Sequence, residues 1–346
     1  MSDVLARLTA GDSLTETEAE GLLRKLADGS VEPALSGALL VALSIKGETV
    51  EEIRGFARGM QNLAVSPHLP ANILEHAVDI VGTGGDGSGS FNLSTGSALL
   101  AAACGLTVVK HGNRSITSRS GSADVLAELG LPMPLDPHSA GRCLEHTGFT
   151  FLFAPHYHPA MKQLGQVRRA LGVRTLFNLL GPLTNPARPP FHVIGAWSEE
   201  VAHSMAECLA GMEIRRAFVV HGAPGWDEAT PCGPFTLFDV RPGEVLRQVR
   251  DPLSVGISRC EPDDLAGQSP AYNADSLRQA LTGRSGPHQD ALVLGAALAL
   301  EVTGRVTNSS EAVALARETI AGGAAGTLLD QLAEFGSTAR IEANGG

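Results

Sequence analysis

The spacing of apolar and polar positions divides the chain into two kinds of segment. In residues 1–70, SLTETEAEGLLRKLADG, PALSGALLVALSIKG and VEEIRGFARGMQNLA carry apolar stripes at helical intervals, the first opened by Ser/Thr with Glu following and closed by Gly. Helices alone are predicted there. From Val78 the pattern changes to short apolar runs set between helical stretches: VDIVG, NLSTGSALLAAACG, LTVVKHG, SADVLAELG and FTFLFAP. Strand alternating with helix predicts a largely parallel sheet. Residues 160–187 interrupt this pattern with a helical, Pro-terminated stretch, after which FHVIGAW, EEVAHSMAECLAG and RRAFVVHG resume it. TLFDVRPGEVLRQV predicts an antiparallel hairpin, and the tail from Gln289 reads as Ala-rich helix. The fold class expected is α/β. A small all-helical domain spans 1–70, with 160–187 returning to it; a large α/β domain, 71–159 and 188–346, holds a mostly parallel central sheet flanked by helices.

Composition narrows the function. At 346 residues the chain exceeds the roughly 250–300 at which one core stops growing, so two cores are expected. With 43% hydrophobic and 18% charged residues, long disorder is excluded. Five cysteines, odd in number and without a CxxC pair, indicate neither a disulfide framework nor a zinc ribbon. The N-terminus lacks a basic stretch followed by an apolar one, and no segment offers the about 20 apolar residues of a membrane span. A soluble, cytoplasmic protein is expected. A net charge of -11 disfavours nucleic acid, so any polyanionic ligand must meet a local basic cluster.

The chemistry concentrates after the first strand. Asp79 to Gly96 reads as a strand, a loop with Gly82, Gly84, Gly85, Gly87 and Gly89, and a helix start; amides freed by those glycines can converge on an anion, with the helix dipole behind them. Gly82, Gly84 and Gly87 also satisfy GxGxxG, but the next strand ends in Lys110 and His111 where a dinucleotide site needs an acid. Asn92, Ser94 and Thr95 serve equally as helix caps or as ligands for phosphate and metal. Lys110–Arg114, with Ser115, Thr117, Ser118, Arg119 and Ser122, supplies cations and hydroxyls at a strand's carboxyl end. Asp227 and Glu228 follow a strand ending at His221, a short acidic pair of the kind Mg²⁺ prefers. His156 and His158 lack an evident third ligand, which favours packing or pocket shaping over metal binding.

Together, GTGGD (82–86), NLST (92–95), KHGNR (110–114), SGSADVLAELG (120–130), HPAMK (158–162), VRRALGVRTLFNLLGPLTNPA (167–187) and WDE (226–228) resemble, in order and spacing, the motifs of anthranilate phosphoribosyltransferases. The resemblance covers nearly the whole chain. It implies the second step of tryptophan synthesis from chorismate: transfer of the phosphoribosyl group of 5-phosphoribosyl-1-pyrophosphate (PRPP) to anthranilate, with one or two Mg²⁺ ions. It further implies PRPP binding by Gly82, Gly84, Gly85, Asp86, Ser90, Asn92, Leu93, Ser94 and Thr95, and by Lys110, His111, Gly112, Asn113, Arg114, Ser115, Ile116, Thr117, Ser118 and Ser122. Lys110 would stabilise the departing pyrophosphate. Gly82, Asn113 and Arg168 match anthranilate positions, Arg169 being a one-residue ambiguity of which only one member is expected to face the pocket; Ser94, Asp227 and Glu228 match the metal positions. A homodimer through the helical domain is implied too. Trp226 and Cys232 depart from the usual pattern. Pyrimidine nucleoside phosphorylases and catalytically silent nucleic-acid-binding relatives share the fold, but the HPAMK, VRRALG and Asp-Glu motifs disfavour the first and the acidic charge the second. Lys110 and its neighbours likewise disfavour a NAD-dependent dehydrogenase.

Overall fold

The computed structural model describes residues 1–114 and 120–345, the side chains at 160, 162, 163 and 339–345 excepted. The N-terminal runs fold as α1 (Ser2–Thr9), α2 (Glu16–Ala27), α3 (Pro33–Lys46) and α4 (Val50–Leu63). Reciprocal caps, Thr15 with Glu18 and Thr49 with Glu52, satisfy amides in the open first turns of α2 and α4. Buried Glu52 also accepts from the Leu14 amide and the Lys46 ammonium, each at 2.9 Å, and so joins three parts of the bundle.

After the short α5 (Ala71–Leu74) come β1 (Ala77–Gly82), α6 (Leu93–Ala103), β2 (Thr107–Gly112), α7 (Ser122–Glu128), α8 (Pro137–Thr147) and β3 (Phe149–Phe153). Periodicity alone does not reveal α8, whose buried face is only Ala140, Cys143, Leu144 and Thr147. Its ends mark it instead: Asp136 accepts from the His138 and Ser139 amides, Pro137 opens the first turn, and Gly148 ends it in the left-handed conformation. Then follow α9 (Ala154–Tyr157), α10 (Ala160–Leu171), α11 (Phe177–Leu180), β4 (Phe191–Gly195), α12 (Glu199–Ala210), β5 (Arg216–His221) and the antiparallel hairpin β6 (Phe235–Arg241) and β7 (Glu244–Arg250). The tail is α13 (Pro270–Leu281), α14 (Pro287–Val302), α15 (Ser309–Ala321) and α16 (Ala324–Gly345).

The strands form one sheet in the order β3-β2-β1-β4-β5-β6-β7, parallel from β3 through β5 and antiparallel beyond. Successive strand residues face opposite sides, and that alternation separates two cores: Val193, Phe218 and Leu237 join α6 and α14, while Ile194, Val219 and Phe238 join α12 and the helical bundle. The second core is therefore not confined to the small domain. α10 packs on α2 and α3, and α11 on α4, so the 160–187 segment lies against the bundle. Among the described residues no helix is long and apolar enough to cross a membrane.

Candidate active site

Chain order reverses at the middle of the sheet: β2 and β3 lie on one side of β1, β4 and β5 on the other. Ligands of open parallel sheets bind in the crevice at such a switch point, outside the strands' carboxyl ends. Gly82 and Gly195 are paired there, and a cavity of about 1370 Å³ opens between this edge and the α10–α11 segment.

The loop leaving β1 turns through four left-handed glycines, Gly84, Gly85, Gly87 and Gly89, with φ of 69°, 74°, 73° and 61°. Gly82 serves a different need. The space of its missing side chain is taken by the Asp227 carboxylate, and that of Gly195 by the Asp227 backbone, so the acidic loop lies across the ends of β1 and β4. Asp227 Oδ2 accepts the Gly84 amide at 2.6 Å, and the Asp227 amide donates to Asp86 Oδ2 at 3.2 Å. Asp86 Oδ1 in turn accepts the Ser88 amide and hydroxyl at 3.0 and 2.9 Å. Glu228 Oε1 accepts the Ser94 amide, in the first turn of α6, at 3.2 Å, which suits a carboxylate at a helix N-terminus. Buried Lys110 donates to Ser94 Oγ at 3.2 Å and to the Ile80 carbonyl.

This arrangement strains its own charges. Burial, then the nearby Asp86, pushes the Asp227 carboxyl up to about 7; burial, then Asp227, pushes Glu228 up to about 8, with Lys110 pulling the other way. Lys110 is itself shifted down by burial, against the attraction of Asp79, Glu228 and Asp227. Asp79, buried beneath the site, is raised to about 6 by burial although it accepts from Asn185 Nδ2 at 2.8 Å and the His111 amide at 3.2 Å. Crowded carboxylates and a hydroxyl make an all-oxygen donor set suited to a hard divalent cation, whose charge would restore both carboxylates to the ionised form. Among the described residues no three His, Cys, Asp or Glu side chains stand together as a metal site, so such an ion would need ligands from water and substrate.

The opposite wall carries Arg168 and Arg169, on the last turn of α10. Arg168 is half-buried with its guanidinium 5.3 Å from the Phe177 ring centre, while Arg169 is exposed; both line the cavity, which corrects the expectation that only one would. The rings of His111 and His158 meet edge to face at 5.0 Å, and burial holds both neutral, near 3 and 4.

Of the sequence-derived PRPP, anthranilate and metal residues that are described, all line this one cavity except Thr95; of the two histidines weighed for pocket shaping, His158 lines it and exposed His156 does not. Thr95 is fully buried behind the wall, its hydroxyl donating to Ser122 Oγ at 3.0 Å. Asn92 is the N-cap of α6 by position, but its side chain makes no capping bond and instead holds Ser120. Ser115, Ile116, Thr117, Ser118 and Arg119 lie outside the described residues. Sequence reasoning missed Gly195, Asn178, Trp197, Gln268 and Asn273 as site-forming residues. A glycine ending β4 opposite Gly82 and the place of Asn178 within the 167–187 motif were the signals available; the others carry none.

Both parts of this architecture, the helical bundle and the α/β domain, match one class of protein, the glycosyltransferases. The description "Glycosyl transferase family, helical bundle domain" matches residues 2–64, and "Glycosyl transferase family, a/b domain" matches residues 74–326. The anthranilate phosphoribosyltransferase of Desulforudis audaxviator is 45% identical over 333 residues, covering 96% of this chain and 95% of that one. Among solved structures, the Thermus thermophilus anthranilate phosphoribosyltransferase superposes with a TM-score of 0.89 at 42% identity, covering 97% of this chain and 99% of its own. The Saccharomyces cerevisiae enzyme in complex with PRPP and Mg does so at 0.86 and 27%, covering 97% of each chain. The chain belongs to the anthranilate phosphoribosyltransferase family.

Proposed function

We propose that the switch-point cavity is where this chain transfers the 5-phosphoribosyl group of PRPP to the amine of anthranilate, releasing pyrophosphate. The protein is a phosphoribosyltransferase of the pentosyl-transferring glycosyltransferase class. In this reading the glycine loop, with Asp86, Ser90 and Asn92–Ser94, receives the PRPP phosphates, and Lys110–Arg114, the following residues to Ser118 and Ser122 complete that site. Ser94, Asp227 and Glu228 hold one or two Mg²⁺ ions, which when bound offset the charge of the departing pyrophosphate. Lys110 adds a fixed positive charge on the same side. Gly82, Asn113 and Arg168 receive anthranilate, the guanidinium facing its carboxylate.

The chemistry asks mainly for positioning and charge stabilisation. Pyrophosphate leaves with the bonding electrons, positive charge develops on the ribose ring, and the uncharged aromatic amine captures it before losing its proton. Neutral His111 and His158 fit this reading, since no strong base is needed. The helical unit, 1–70 with 160–187, supplies the acceptor wall, and the α/β unit, 71–159 and 188–346, supplies the phosphate wall. We further propose a homodimer through the helical unit, which exposes Ile45 and Val173 by 82% and 59%.

One observation carries the reading: the Asp227 carboxylate takes the Gly84 amide while occupying the space over Gly82, so the acidic pair and the glycine loop form one site. The test is direct. Protein mixed with PRPP, Mg²⁺ and anthranilate should extinguish anthranilate fluorescence and release one pyrophosphate per anthranilate consumed; persistent fluorescence with intact protein would overturn it.

A further inference from the structure

The glycine loop is held from outside by a part of the chain that contributes none of the recognised motifs. Three consecutive residues at the loop's exit pair with the strap leading into α13: Gly89 O accepts the Gly267 amide at 2.7 Å, Ser90 bridges Ala266 in antiparallel register, and the Phe91 amide donates to Leu265 O at 2.9 Å. The fourth, Asn92, is reached by a side chain. Asn273, in the first turn of α13 and 1% exposed, donates from Nδ2 to Asn92 Oδ1 at 2.9 Å and accepts the Gln268 amide on its own Oδ1 at 2.8 Å. Asn92 passes the restraint on, accepting from Ser120 Oγ at 3.2 Å and donating to Ser120 O at 3.3 Å. One buried amide thus ties the strap, the end of the glycine loop and the segment before α7 together.

We propose that Asn273 and the Leu265–Gln268 strap are positioning elements for PRPP, an inference that rests on the reading of this cavity as the PRPP site. A loop with four left-handed glycines has much conformational freedom to lose when it closes on a phosphate. Fixing its exit before the ligand arrives removes part of that cost and sets where the amides of the loop and of Ser94 stand. Asn273 acts through Asn92 rather than on the reacting atoms. Gly267 has a matching reason for its identity: a Cβ there would stand 2.6 Å from Ser90 O and 2.8 Å from the Phe91 amide nitrogen, so any larger residue forces the loop exit away from the strap.

The experiment compares full-length wild type, Asn273→Ala and Gly267→Ala in steady-state assays with each substrate varied in turn, alongside thermal unfolding. Asn273→Ala removes two neutral hydrogen bonds, the one to Asn92 and the one from the Gln268 amide, while leaving Asn92 its bonds to Ser120, so the KM for PRPP should rise by about five- to tenfold. Gly267→Ala should raise it at least as much. The KM for anthranilate should move less than twofold in both, because Arg168 lies on α10 and Gly82 and Asn113 lie outside the braced exit at residues 89–92. If wild type consumes PRPP and anthranilate but both variants keep a normal PRPP KM, the brace is wrong and the site reading survives. Equal rises in both KM values with a lowered Tm would make these residues merely structural and also overturn the inference. A wild type that ignores PRPP would remove the site reading itself, and the brace with it. Should Asn273→Ala fail to fold, Asn273→Ser, which is too short to reach Asn92 and adds no charge beside the phosphates, carries the same comparison.

Discussion

Arg168 is the residue on which the acceptor assignment turns. Its guanidinium lies over Phe177, half-desolvated, and burial alone shifts its pKa downward, so an anionic partner would be welcome there. Arg168→Ala should lower kcat/KM for anthranilate by about ten- to a hundredfold, the worth of a charge-assisted hydrogen bond, while the KM for PRPP stays near normal. Arg168→Lys should rescue little, because an ammonium reproduces neither the planar fork nor the stacking. A variant that weakens PRPP and spares anthranilate would contradict the assignment and turn attention to Arg169. Sequence placed both arginines on one helix but could not orient them; orientation follows from how α10 sits on α2 and α3. Gly82 teaches a similar lesson. Its place in GTGGD suggests phosphate contact through a freed amide; the structure adds a second reason for glycine, since the missing side chain makes room for Asp227, 145 positions along the chain.

At the scale of elements, the strands and helices with strong apolar periods were legible and the weakly patterned ones were not. α2, α3 and α4 fall where their stripes and caps put them, and the β6–β7 hairpin where Arg-Pro-Gly-Glu turns. α8 and α13 escaped because their buried faces are built largely from small or polar residues, among them Cys143 and Asn273. Asn273 shows why part of the site was illegible: its partner is Asn92, 181 positions earlier, and nothing local marks the pairing. The bundle's outer surface carries its own prediction. Ile45 near the end of α3 and Val173 after α10 are exposed, and Ser44 Oγ reaches Arg174 O at 3.4 Å between them, so the two apolar side chains belong to neighbouring stretches of one surface. Burying this patch in a dimer is favoured at about 25 cal/mol per Å² of apolar area. Ile45→Asp should convert a dimer into monomer in light scattering, with the far-ultraviolet spectrum unchanged. A wild type that is monomeric at micromolar concentration would contradict the dimer outright.

For the molecule as a whole, the sheet is the shared wall of both cores, which length alone suggested as two but could not place. Its buried titratable groups give stability a pH dependence. His192, on β4, is held near 4 by burial, against a weaker opposing pull from the Pro189 carbonyl. Because its folded pKa is depressed, the unfolded chain takes up this proton first as pH falls below about 6.5, and stability is lost from there down to the folded pKa. His192→Gln should remove that loss, about 1.4 kcal/mol per pH unit at most, so urea-unfolding curves of variant and wild type should diverge between pH 6.5 and about 4 in the variant's favour. Parallel curves would show that His192 does not titrate on unfolding. If Asp227 and Glu228 join the glycine loop in a metal-dependent PRPP site, calorimetric titration of PRPP should register the metal. Tight binding is expected with Mg²⁺, and binding weaker by at least about a hundredfold in excess chelator or in the folded Asp227→Asn/Glu228→Gln double variant, two charge-assisted contacts being lost. Equal PRPP affinity with and without Mg²⁺, or in the double variant and wild type, would contradict it.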